Sequence, residues 1–188
     1  KKIKSELALM NNKLLIKNRK LKTTILIKKK YILKFINDIA KNNEKVFCIL
    51  DSKIKINLNL NKQKNIKIIK IKCGEKIKTL DGYKILAERL IKNNVNRRSV
   101  LVAIGGGTLG DLAGFVASTV LRGLEFFLIP STLLSQVDSS IGGKNGINTT
   151  FGKNLLGTFY QPKKVLIDIS LLESLPKKEI RSGYAEII

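Results

Sequence analysis

The sequence predicts an α/β domain: a Rossmann-like, largely parallel sheet with flanking helices, followed by the first helix of a separate α-helical domain. Three observations lead there. Short apolar runs alternate with stretches of helical spacing along the 188 residues. The cleanest apolar run, residues 100–104, leads straight into Gly105-Gly106-Gly107 and a helix of small residues. A chain of this length also buries roughly 70% of its unfolded surface as one domain, so it needs no staples.

Each element has its own reason. Residues 23–27 read as a strand, and residues 31–41 place Ile32, Phe35, Ile36 and Ile39 at helical spacing. Residues 46–50 form a buried strand ending at Asp51, and residues 66–71 form another. Residues 80–91 set Leu86, Ala87, Leu90 and Ile91 on one side of a helix. After the strand at 100–104 come a helix at 110–121, a strand at 125–129 closed by Pro130, and a last strand at 165–169. A new helix begins after Pro176. Residues 1–21 stand apart as an N-terminal extension of unknown role. The chain opens without Met and its one methionine is Met10, so residues 1–9 are expected to lie outside the true start.

Composition narrows the function classes. Cys48 and Cys73 form no metal-binding or redox spacing and read as reduced, buried or half-buried thiols. No apolar run approaches a membrane span and no signal-peptide core follows the basic start, so the chain reads as cytoplasmic and not membrane-bound. The net charge of +22 raises a nucleic-acid reading. Its position argues against specific binding. Residues 1–80 hold 23 Lys and Arg against 5 Asp and Glu, whereas residues 81–188 hold 13 against 9. In the basic half, lysines alternate with Ile and Leu as on the wet face of a strand. Arg19 is the one arginine there, so readers of guanine edges and stacking platforms are missing.

The glycine loop carries the first chemical signal. Gly105-Gly106-Gly107-Thr108-Leu109-Gly110-Asp111 follows a buried strand and opens a helix. Glycines let the backbone approach a pyrophosphate, and the free N–H groups and dipole of a helix start favour negative charge. On its own, the loop is as readily a tight strand-to-helix turn.

It does not stand alone. From Gly105 to Gln161 the sequence reads GGGTLGDLAGFVASTVLRGLEFFLIPSTLLSQVDSSIGGKNGINTTFGKNLLGTFYQ, and Gly183-Tyr184-Ala185-Glu186 follows. In this order the blocks closely resemble the dehydroquinate synthase family, and Gly74-Glu75-Lys76-Ile77-Lys78 is similar to that family's G-E-x-x-K element. The resemblance covers residues 74–188 strongly, 22–73 faintly and 1–21 not at all. It implies an NAD-binding domain over 22–175 and the start of a metal- and substrate-binding domain over 176–188, with the chain stopping as that domain begins. The implied reaction converts 3-deoxy-D-arabino-heptulosonate 7-phosphate to 3-dehydroquinate and phosphate, in the shikimate pathway. NAD and a divalent metal, with zinc expected, are its cofactors, and a homodimer is the expected complete assembly.

The resemblance also implies roles residue by residue. Gly106, Gly107, Thr108 and Asp111 hold the pyrophosphate region of NAD. Asp51, Glu75 and Lys78 match the adenosine side, where carboxylates suit ribose hydroxyls. Ser131 and Thr132 match a Thr-Thr pair, and Ser174, Leu175 and Glu179 match further cofactor contacts. Arg122, Asp138, Lys144, Lys153 and Asn154 match the catalytic substrate site, with Asp138, Lys144 and Lys153 also near the cofactor. Asn145 replaces the threonine common after that lysine. Glu186 matches the one carboxylate metal ligand. The other two ligands are histidines of the second domain, and this chain contains no histidine. Two alternatives stay open: a related sugar-phosphate cyclase, and an inactive truncated gene product. Metal-dependent polyol dehydrogenases share the glycine loop but not the run from Lys144 to Gln161.

Overall fold

The computed structural model describes residues 6–10, 13–18, 21–56, 58 and 63–187. Its strands are β1 (Glu6–Met10), β2 (Lys13–Asn18), β3 (Leu21–Lys28), β4 (Lys45–Asp51), β5 (Ile66–Ile71), β6 (Ser99–Gly105), β7 (Glu125–Pro130), β8 (Lys144–Thr149), β9 (Gly152–Phe159) and β10 (Lys164–Asp168). The α-helices are α1 (Ile32–Lys41), α2 (Leu80–Lys92), α3 (Gly107–Thr119) and α4 (Lys177–Tyr184). Eight strands form one sheet in the order β1-β2-β3-β10-β7-β6-β4-β5. From β3 to β5 every neighbouring pair is parallel, while β1, β2 and β3 pair antiparallel. The Rossmann-like reading therefore holds. The segment read as an N-terminal extension supplies β1 and β2 on the β3 edge.

Strand periodicity explains the layers. In β6, Leu101 and Ala103 face the core beneath α2 and α3, while Val100, Val102 and Ile104 face the core beneath α1. In β4, Phe47 and Ile49 go one way and Val46, Cys48 and Leu50 the other. A strand buried on both faces reads as an unbroken apolar run, which is why these two were plain in the sequence. At the end of β10, the buried Asp168 carboxylate accepts hydrogen bonds from the N–H groups of Lys30 at 2.9 Å and Tyr31 at 2.6 Å. Ser170 adds its N–H at 3.1 Å and its hydroxyl at 2.6 Å. Burial alone would raise this carboxyl; the four donors outweigh it and hold the group below its ordinary value.

Three differences from the sequence reading matter. Helix α3 begins at Gly107, three residues earlier than its apolar pattern, because the glycines themselves take helical geometry. It also ends at Thr119, since Leu121 and Arg122 adopt positive φ of 52° and 69°. The antiparallel hairpin β8–β9 appears where no strand was read. It packs on α3: Ile147 is buried, the Thr158 hydroxyl meets that of Ser118 at 3.0 Å, and the Tyr160 hydroxyl donates to the Leu124 carbonyl at 2.9 Å. Asn145 holds the hairpin base, donating to the carbonyls of Gly143 and Tyr160 at 2.8 Å each. Its amide lies so close over Gly114 that any Cβ there would collide with it. Among the described residues, no helix is long and apolar enough to cross a membrane.

Candidate active site

The carboxyl ends of parallel strands leave a crevice, and the glycine loop opens onto it. Ser131 N–H donates to the Gly105 carbonyl at 2.9 Å, which keeps β6 and β7 paired up to the loop. Gly106 caps α3 with extended backbone and no side-chain acceptor, and the first turn carries no acidic residue. The free N–H groups and the positive end of the helix dipole thus meet no protein anion from that turn. A Cβ at Gly107 would lie 2.9 Å from the Ser139 hydroxyl, so the loop is fitted closely against the π-helical turn of residues 135–139.

On one side of the loop stands the Gly74–Lys78 segment. Lys78 is buried, and its ammonium pairs with the Asp111 carboxylate. Burial pushes the Asp111 carboxyl above its ordinary value; the hydrogen bond and charge of Lys78 pull it down, and Glu75 adds a smaller upward push. Glu75 takes the Thr108 hydroxyl at 3.5 Å and the Asn148 side-chain amide at 2.7 Å. Asp51 accepts the N–H groups of Lys53 at 3.0 Å and Cys73 at 3.4 Å. Burial, reinforced by Asp51, pushes the Cys73 thiol up to about 12, and burial alone does the same to Cys48. Both cysteines are free thiols, as read from the sequence.

On the other side lies a cleft of about 610 Å³ between α3, the π-helical turn and the β8–β9 hairpin. Asp111, Asp138, Lys144 and Asn154 line it together with Ser139 and Asn145. The fold thereby gathers four of the residues singled out in the sequence, from Asp111 to Asn154. Lys144 and Lys153 are exposed, and neither forms an ion pair among the described residues, so each offers a free ammonium. Lys153 stands beside Asn154 on β9 but does not line the cleft.

Other residues sit elsewhere. Arg122 lies beyond the far end of α3, exposed and outside the cleft lining. Ser131 is buried, and the Thr132 hydroxyl is bonded to that of Ser135 at 2.8 Å. Ser174 borders a second groove of about 480 Å³ on the α1 side. Leu175 leads into α4, whose first turn holds the exposed Glu179. Helix α4 seats Gly183 directly on Leu133 and Leu134, and Glu186, just beyond the helix, is exposed. Among the described residues, no group of three or more His, Cys, Asp or Glu could hold a metal ion. Asn145 stood out in the sequence only as a replacement, without its bonds to the Gly143 and Tyr160 carbonyls, and sequence reasoning missed Asn148 and its contact with Glu75. Asn-Gly and Asn-Thr read as turn composition, so no local signal marked them.

Sheet, glycine loop and cleft define a Rossmann-like domain with an uncapped helix start at its glycine loop. Residues 68–182 match the family described as 3-dehydroquinate synthase N-terminal, and the chain belongs to that family. It is 53% identical over 123 residues to 3-dehydroquinate synthase from Idiomarina loihiensis, covering 65% of this chain and 34% of that protein. Among solved structures it is similar to 2-deoxy-scyllo-inosose synthase complexed with carbaglucose-6-phosphate, NAD+ and Co2+, with a TM-score of 0.83 and 28% identity over 93% of this chain and 51% of that one. It is also similar to 2-epi-5-epi-valiolone synthase from Streptomyces hygroscopicus subsp. jinggangensis with NAD+ and Zn2+ bound, with a TM-score of 0.80 and 25% identity over 90% of this chain and 49% of that one. The chain spans between 34% and 47% of the length of the curated relatives it matches.

Proposed function

We propose that this chain is the NAD-binding part of a 3-dehydroquinate synthase, acting on 3-deoxy-D-arabino-heptulosonate 7-phosphate with NAD and a divalent metal, zinc by preference. The observation that carries the reading is the cleft: Lys144, Asp138 and Asn154 converge beside the uncapped start of α3. The relatives' name supports the product, 3-dehydroquinate, the resemblance of the motifs supports the substrate, and the two cyclase structures, solved with NAD+ and with Co2+ or Zn2+, support the cofactors. In cytoplasmic homodimers of the complete protein, this part would form one wall of the site.

The donor set fits a dinucleotide. The N–H groups at Gly106, Gly107 and Thr108 would hold the pyrophosphate, and Asp51 and Glu75 would accept ribose hydroxyls. Lys78 keeps Asp111 in place beneath the loop, while Ser131, Thr132, Ser174, Leu175 and Glu179 would border the rest of the cofactor. When bound, NAD supplies a hydride acceptor that also returns the hydride. Lys144 and Lys153 would hold the substrate's phosphate or carboxylate by charge, and Asp138 and Asn154 would orient its hydroxyls. Arg122 would add a cation to the same substrate from outside the cleft of its own chain. The metal does not fit the described residues alone: Glu186 is one carboxylate, and a catalytic zinc takes three protein ligands. No step is therefore assigned to it.

The test is turnover by this chain expressed together with the second half of its Idiomarina loihiensis relative. Phosphate release should occur with the heptulosonate phosphate, should be lost in Lys144→Ala, and should be absent with a heptulose phosphate lacking the carboxylate. Release from the heptulose phosphate alone would assign the chain to another cyclase instead.

A further inference from the structure

Asn148 bonds to two segments at once, residues 75–79 and the start of β9. Its backbone N–H donates to the Lys78 carbonyl at 2.7 Å, and it forms a parallel bridge with Thr79. Its side-chain nitrogen donates to Glu75 Oε1 at 2.7 Å. Its side-chain oxygen accepts the N–H of Asn154 at 3.0 Å. Glu75 and Lys78 belong to the proposed cofactor side, and Asn154 lines the substrate cleft. Asn154 also holds a positive φ of 57°, a conformation that a non-glycine residue keeps when its surroundings impose it. The hairpin is further bent at this point by a register shift between Ile147 and Thr149.

We propose that Asn148 is a positioning residue that sets Glu75 and the Lys153–Asn154 turn in register, so that the cofactor wall and the substrate wall move as one unit. An amide suits this place. One end must donate to a carboxylate while the other accepts from a backbone N–H, and the side-chain amide offers both from one short planar group. Asn has the shorter reach that the hairpin allows. The register of Glu75 matters to NAD only if the function proposed above holds; the tie to Asn154 does not depend on it.

Two variants separate the two ends. Asn148→Asp keeps an oxygen for the Asn154 N–H and turns a second carboxylate toward Glu75, whereas Asn148→Ala removes both contacts. By amide hydrogen exchange, Asn154 should exchange about tenfold faster in Asn148→Ala and stay protected in Asn148→Asp, with β6 amides unchanged in both. In calorimetry, Asn148→Asp should bind NAD about tenfold more weakly than the parent chain. Adding Glu75→Gln restores a hydrogen bond of reversed polarity, so the double variant should bind within about twofold of Glu75→Gln alone. Losses that multiply in the double variant, or Asn154 exchange unaffected by Asn148→Ala, would overturn the proposal. A parent chain with no affinity for NAD would sink the functional reading instead, and the exchange contrast would still decide the role of Asn148.

Discussion

The two walls of the cleft are built by different physics. The wall we propose for the cofactor is α3 carried on β6: every residue of β6 is buried, and Leu109, Leu112, Ala113, Val116 and Ala117 seat α3 on the sheet. The wall we propose for the substrate is the β8–β9 hairpin, where β9 is almost wholly exposed and Phe151 and Phe159 stand 93% and 78% accessible. Apolar packing fixes the first wall. A few directed hydrogen bonds, from Asn145, Asn148, Thr158 and Tyr160, hold the second. A rigid helix start suits a cofactor held throughout a reaction. A wall tied by polar contacts can adjust to a substrate that changes shape, because such regions open locally at lower cost.

The largest effect should come from the packed wall. Leu112→Ala should destabilise the chain by about 3 kcal/mol, whereas Phe151→Ala should stay within about 0.5 kcal/mol, both read by denaturant unfolding. Equal losses would erase the distinction.

Next in size is the seam where the walls meet. Gly114→Ala gains about 1 kcal/mol of helix propensity, but its Cβ enters the space held by Asn145. Overpacking of a fixed neighbour costs about 1–3 kcal/mol, so a net loss should appear as a lower melting temperature. The hairpin amides should also lose protection before those of β6. A stabilised Gly114→Ala would mean that the hairpin is not seated on α3.

A smaller, pH-dependent effect belongs to the sheet side alone. Asp168 has a folded value below its unfolded one of about 3.9. Its stabilisation is therefore complete above about pH 4 and is lost as pH falls through the depressed folded value. Asp168→Asn should cost about 1.5 kcal/mol at neutral pH and flatten the acid limb of the stability curve. An unchanged acid limb would remove Asp168 as the clamp between β10 and α1.

The same contrast decides what was legible in the sequence. The strands β4, β6 and β7 announced themselves because burial on both faces demands unbroken apolar runs, and all three were read within one or two residues. The hairpin stayed hidden because Lys144–Thr149 and Gly152–Phe159 carry lysine, asparagine and glycine on an exposed surface, with no apolar alternation to mark a strand. Lys144, Asp138 and Asn154 were singled out by resemblance, not by pattern, and the fold brings them together. Asn148 carries no such mark, since its meaning depends on Glu75, 73 residues away in the chain.

The central claim is that the uncapped start of α3 is a dinucleotide site, and calorimetric titration of NAD into this chain and its Gly107→Val variant tests it most directly. Weak binding is expected of the parent chain, which spans 34% of the length of its Idiomarina loihiensis relative. The account predicts no detectable binding by the variant, whose side chain would strike Ser139 and crowd the loop. Equal affinity in the two proteins would contradict it.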